Sequence, residues 1–373
     1  MRIAFISTIL SYPWGGADTL WTHAAEAATG RGDQLFLSVS PLVASSPRIR
    51  ALIGTGAGIL TREPLIAPLP FVTRVRRKLG LARSPDVPLI AALQSFRPDV
   101  VIFSQGGTYD LVLHPQLAAW LRATGVKYRS IANWQEEHPH LSEADLTFIR
   151  GAFASADSLN FVSNRNLAVT RRHLALPLPN ARVIQNPLRW QPADASPWPA
   201  GSPLRLATVS RLDESKGIGL LLEALAHSGA LPAWRLDIFG LGPDEPRLRA
   251  ITDRLGLGDR VRFRGYVNEL RAIWAESQLM ISPALEDGVP MTIPEAMLCH
   301  RPVLATRVGG AEDWLEPGVT GFLCPARNAE QLANTLRAAC ASRDRWEAMG
   351  HAAAAAAAGR YRPDDYLNLL APC

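Results

Sequence analysis

The sequence predicts an α/β protein made of two doubly wound, Rossmann-like domains, and three observations carry that prediction. The chain opens on a strand, a glycine-bearing loop, a helix and a second strand, one βαβ unit. The same alternation resumes at Leu204 and continues through the second half. Between the two runs, Trp190 to Pro203 holds Pro192, Pro197, Pro199 and Pro203, the composition of a linker. A chain of 373 residues, 47% hydrophobic and 20% charged, can fill two ordinary cores. The boundaries read as 1–190 for the first domain, 191–203 for the linker, 204–355 for the second domain, and 356–373 for a C-terminal helical segment.

Ile3 to Ser7 is an apolar run that reads as a buried first strand rather than a signal peptide. The loop after it ends in Gly15-Gly16, where the backbone can approach a ligand and offer amides to an anion; a glycine pair is equally a plain turn. A helix with Leu20, Ala24, Ala27 and Ala28 follows, then a strand from Gln34 to Val39. Ser40 to Val87 shows no clean period. Strands resume at Val100–Ser104, Lys127–Ala132 and Ser158–Val162, with helices between. In the second half, Leu204–Ser210, Trp234–Phe239, Val261–Phe263, Leu279–Ile281 and Val303–Thr306 read as strands alternating with helices, and Ala352–Ala358 is strongly helical.

Composition excludes several function classes. No apolar run approaches the ~18 residues that span a bilayer. Cys299, Cys324, Cys340 and Cys373 are scattered, with neither a zinc spacing nor a disulfide framework, which suits a reducing cytoplasm. Charge is uneven: 20 basic and 12 acidic residues lie in Met1–Arg189, 19 and 22 beyond, for a net +5. The basic stretch Arg74–Lys78 beside Leu69–Val72 fits either an exposed helix face or an anionic membrane surface. No groove-reading helix or aromatic-basic module accompanies it, so nucleic acid is set aside as a partner.

Chemistry concentrates at three loops of the second half. In Ser210–Gly217, Arg211 and Lys216 sit between a strand and a helix, where a planar fork and a point charge can together neutralise a diphosphate. In Ile281–Met297, Asp287 and Glu295 flank a Gly/Pro loop that leads into a helix near Thr292. A carboxylate there can accept two sugar hydroxyls, or Thr292-x-x-Glu295 can be a capping box in which Glu295 merely satisfies backbone. Gly240 lies in a third strand-end loop, where it either admits a ligand or makes a turn.

Taken in order, these stretches resemble one family. Asp287-Gly288-Val289-Pro290 with Glu295-Ala296-Met297 is similar to the acidic E-x7-E signature of the retaining family 4 glycosyltransferases of GT-B fold (glycosyl transferases group 1), with Asp in the first position. Ser210-Arg211-Leu212 through Lys216-Gly217 resembles the family's Arg…Lys-Gly motif, and Gly240-Leu241-Gly242-Pro243 its Gly-x-Gly-Pro loop. Val261–Tyr266 resembles its base-cradling segment, and Gly309-Gly310-Ala311-Glu312-Asp313 with Gly318–Leu323 its closing pair. The opening loop with Gly15-Gly16 and the Asn186-Pro187 turn resemble the corresponding parts of the family's first domain.

The resemblance implies two domains facing across a cleft, the second holding a nucleotide-diphosphate sugar and the first a saccharide or lipid-linked saccharide acceptor. It implies donor binding at Gly15, Gly16, Gly240, Tyr266, Asp287, Gly288, Val289, Pro290 and Glu295, and charge stabilisation by Arg211 and Lys216. It implies transfer with retention of configuration and no bound metal or other cofactor. The basic first domain adds the expectation of a place in bacterial envelope synthesis, cytoplasmic or peripheral on the inner membrane face. A small soluble acceptor and an inactive nucleotide-sugar-binding protein are the alternatives. The sequence departs from the family after Lys127–Ala132, where many members carry a histidine near the reacting sugar. Here His138 is the nearest candidate for that catalytic role but is displaced by several residues, and Glu136 or Gln135 is the alternative candidate for the usual place.

Overall fold

The computed structural model describes residues 1–9, 15–63, 86–134, 139, 141–189 and 196–371. It comprises two compact units, Met1–Pro187 with Arg362–Cys373, and Leu188–Tyr361.

The first unit is built on a parallel sheet of β1 (Arg2–Ser7), β2 (Gln34–Val39), β3 (Gly58–Thr61), β4 (Val100–Gly107), β5 (Lys127–Trp134), β6 (Ser158–Phe161) and β7 (Ala181–Val183), in the order β3-β2-β1-β4-β5-β6-β7. Ile3 pairs with Leu35 on one side and Val100 on the other. Strands covered on both faces need continuous apolar runs, which is why β1 and β4 read so clearly.

The stretch without a sequence period is ordered by serine–proline pairs. Ser40 and Ser46 each cap a short helix, Pro41–Ala44 and Pro47–Gly54, with proline in the first turn, and β3 follows. The basic stretch Arg74–Lys78 lies outside the described residues.

The second unit holds β8 (Leu204–Val209), β9 (Trp234–Phe239), β10 (Val261–Gly265), β11 (Leu279–Ser282), β12 (Val303–Thr306) and β13 (Gly321–Cys324), parallel in the order β10-β9-β8-β11-β12-β13. Alternate strand residues feed two cores. Leu206, Leu279 and Ile281 join Leu221 and Leu336 on one face, while Ala207 and Met280 join Trp274, Ile293 and Met297 on the other.

The units divide at Pro187/Leu188 and Tyr361/Arg362, whereas the sequence suggested 190/191 and 355/356. Residues 196–203 count with the second unit because the buried Arg301 donates to the carbonyls of Ser196 and Pro197 and lies 5.2 Å over Trp198. The alanine run belongs to the helix Trp346–Arg360, and a 3₁₀ turn, Asp365–Leu370, then packs on the first unit. Arg129 and Arg182 donate to the carbonyls of Leu369 and Asn368, and Asp365 accepts from the Gln185 amide.

Candidate active site

In the second sheet the chain adds β9 and β10 on one side of β8, then crosses to place β11 on the other. The loops after β8 and β11 therefore leave in opposite directions, opening the crevice where α/β sheets bind ligands. Arg211 and Lys216 ride on the first loop, Asp287 on the second, and Glu295 on the helix Thr292–Leu298 that follows it.

Backbone contacts hold the β11 loop from both sides. Leu285 and Glu286 amides donate to the Ser215 carbonyl at 2.8 and 3.1 Å, and the Gly310 amide donates to Gly288 O at 2.8 Å. Gly217 sits at φ +64 with its α-carbon so close that a Cβ would lie 2.0 Å from Pro283 O. Gly309, at φ +46, faces Asp287 O and Gly288 O in the same way. Gly288 and Pro290 are buried by these contacts and Val289 is half-buried.

The charged groups are prearranged. Lys216 Nζ donates to Asp287 Oδ2 at 2.7 Å, both side chains being largely but not wholly covered. Arg211, half exposed, lies 3.1 Å from Asp213.

Glu295 is only 1% exposed, and among the described residues its Oε2 has no hydrogen-bond partner. The capping alternative does not hold: the helix begins at Thr292 with Met291 at the N-cap and no side-chain cap bond. Burial pushes the Glu295 carboxyl up to about 7, opposed by the charge of Arg189, whose Nε stands 3.7 Å from Oε1. A buried carboxylate oxygen with no donor is an expensive feature of a resting fold. It fits a site that receives hydroxyl groups.

Gly240, at φ +133, has a packing reason for being glycine, since a Cβ would meet Ser210 O at 1.8 Å; its amide donates to Gly265 O. It locks the ends of β8, β9 and β10 together. Beyond it Leu241 and Tyr266 are 58% and 62% exposed on neighbouring strand ends.

In the first unit Gly15 is exposed, with no described residue near the place a Cβ would take, and Gly16 starts the helix Gly16–Gly30. The Gly15 amide donates to Asp18, whose carboxyl burial raises to about 6. At the β1/β4 switch, Asp110 accepts from Thr8 Oγ1 and from the amides of Gly106 and Gly107. Burial pushes its carboxyl up. In sequence this cluster is marked only by Gly106-Gly107, the glycine pair that ends β4, and Arg189 is not marked at all. Glu136, His138 and Gln135 lie outside the described residues.

Residues 203–342 match the family described as glycosyl transferases group 1. WcaL of Salmonella typhimurium, named as a colanic acid biosynthesis glycosyltransferase, is 32% identical over 145 residues, 36% of each chain. LpsE of Rhizobium meliloti, named as a lipopolysaccharide core biosynthesis glycosyltransferase, is 28% identical over 177 residues, 46% of this chain and 51% of that one. The matched segments thus span about a third to a half of these curated relatives. HepE of Anabaena, solved in complex with UDP, superposes with a TM-score of 0.73 at 19% identity, covering 99% of this chain and 98% of that one. At that identity the likeness shows the fold, which is GT-B. The second unit of this chain therefore carries a glycosyl transferases group 1 domain within a GT-B fold.

Proposed function

We propose that this chain is a glycosyltransferase that moves a sugar, with retention of anomeric configuration, from a nucleotide-diphosphate donor to a hydroxyl of an envelope saccharide or glycolipid. The single observation that carries the proposal is the buried carboxylate of Glu295, with an unpartnered oxygen, at the same sheet switch as Arg211, Lys216 and Asp287. Glu295 accepts hydroxyls of the donor ribose, and Asp287 lies against the donor sugar. Arg211 and Lys216 offset the charge that builds on the departing diphosphate, the kind of electrostatic help worth several kcal/mol in other enzymes. With Arg211 and Lys216 in that role, the proposed reaction proceeds without a bound metal ion.

The acceptor class rests on relatives named for colanic acid and lipopolysaccharide core biosynthesis. The basic first half suits an anionic substrate or membrane surface. Among the described residues no helix is long and apolar enough to cross a membrane.

A thermal-shift screen of UDP, GDP, ADP and TDP and their common sugars tests the reading. A ligand at a hundred times its dissociation constant adds about 2.7 kcal/mol to stability. One nucleotide should stand out, and its sugar conjugate should be hydrolysed slowly by water. No shift with any of them would overturn the donor site. A shift without hydrolysis would favour a binding protein.

A further inference from the structure

We infer that Arg189 is a positioning residue of the donor site: its charge favours the ionised form of Glu295, in which both carboxylate oxygens accept hydroxyl hydrogens from a nucleotide ribose. The role of Glu295 in that sentence rests on the function proposed above.

The geometry singles out Arg189. Its Nε lies 3.7 Å from Oε1, an ion-pair distance too long for a hydrogen bond, so it does not occupy that oxygen, and among the described residues Oε2 has no hydrogen-bond partner. A neutral carboxylic acid would instead present one O–H donor and lose half of that capacity. Burial favours the neutral form, and an opposite charge within ~4–6 Å favours the ionised one.

Among the described residues, the other ionisable groups on the elements packed around this helix are engaged elsewhere. Strands β11 and β12 carry none. On the helix Ala311–Trp314, Glu312 pairs with Arg307 at 3.1 Å, and Asp313 is its neighbour. On the helix Trp346–Arg360, His351 bonds to His300, Arg360 faces Glu316, and Glu347 acts on Arg301. Cys299, one turn beyond Glu295, has its thiol pushed up by burial and stays neutral.

Arg189 is itself held in place. Leu188 is buried in the core cluster that contains Ile293, Ala296 and Met297 of the Glu295 helix, and its amide donates to the Tyr361 hydroxyl at 3.0 Å. The Arg189 side chain is more than half exposed, so packing does not account for it.

Carbon-13 NMR of the full chain labelled at glutamate carboxyls, with Glu295→Gln identifying the resonance, reads the ionisation directly and without ligand. Arg189→Gln should raise the Glu295 midpoint by about one pH unit or more, and Arg189→Lys should restore most of it. An unchanged midpoint overturns the inference.

UDP is the probe for the consequence. Wild-type affinity should fall as pH drops through the Glu295 midpoint. Arg189→Gln should move that fall to higher pH yet leave affinity at the alkaline plateau within about twofold, a change of under half a kcal/mol. A loss of equal size at every pH overturns the inference in favour of direct contact with the nucleotide. Failure of UDP to bind the wild type would count against the donor reading, while the carboxyl titration still decides Arg189.

Discussion

Lys216 and Asp287, 71 residues apart in sequence, meet at 2.7 Å between Nζ and Oδ2 and join the two loops of the sheet switch. The pair neutralises a cation that the proposed chemistry assigns to a diphosphate. Lys216→Ala should lower donor turnover by about 10²–10³-fold. Because Asp287 is largely covered and would lose its partner, the stability cost should be about 1–3 kcal/mol. Nucleotide release assays and denaturant melts check both halves, and unchanged turnover would remove Lys216 from the diphosphate site.

Glu295 should set a trade between stability and binding. Its folded-state carboxyl, at about 7, lies above its unfolded value of 4.5, so the folded chain holds the proton more tightly and loses stability as pH rises between the two. Glu295→Gln should therefore gain up to about 3 kcal/mol of stability above pH 8, a gain vanishing towards pH 4. Nucleotide affinity should fall by roughly tenfold or more in the same variant. Denaturation curves at several pH values decide the first claim and titration calorimetry the second.

Gly217 and Gly256 share φ +64, yet only Gly217 has backbone where a Cβ would go. Gly217→Ala should cost roughly 1–3 kcal/mol more than Gly256→Ala, the difference being the displacement of the Pro283 carbonyl. Equal costs would mean that the β11 loop yields freely.

Tyr266 is uncovered at the end of β10. If it stacks on the nucleotide base, Tyr266→Ala should weaken nucleotide binding by about 1–3 kcal/mol, with melting essentially unchanged. Unaltered affinity would leave it as an ordinary surface residue.

Much of the fold was legible in sequence because strands buried on both faces read as unbroken apolar runs, as in Ile3–Ile6 and Leu279–Ile281. Two short helices after β2 were not. Pro41–Ala44 and Pro47–Gly54 are too brief for a hydrophobic period, and only their Ser-Pro starts mark them.

The candidate donor residues were legible as residue types at strand-loop-helix corners: Arg211, Lys216, Asp287 and Glu295. Whether Glu295 was a cap or a ligand group was not, because spacing alone permits both. The structure separates them by starting the helix at Thr292 and burying the carboxylate with Oε2 lacking a hydrogen bond among the described residues.

By itself the sequence determined the α/β class, the two domains and the order of the motifs, since each follows from local periodicity and turn chemistry. Only tertiary structure decided which loops meet. The order β10-β9-β8-β11-β12-β13 places the loop after β8 beside the loop after β11, and so sets Lys216 against Asp287. It also folds Leu188 into the core beside Ile293, which brings Arg189 to Glu295. Strand order is a global choice among packings of the same local elements. The charges that act on a buried group are therefore not readable from its neighbours in sequence.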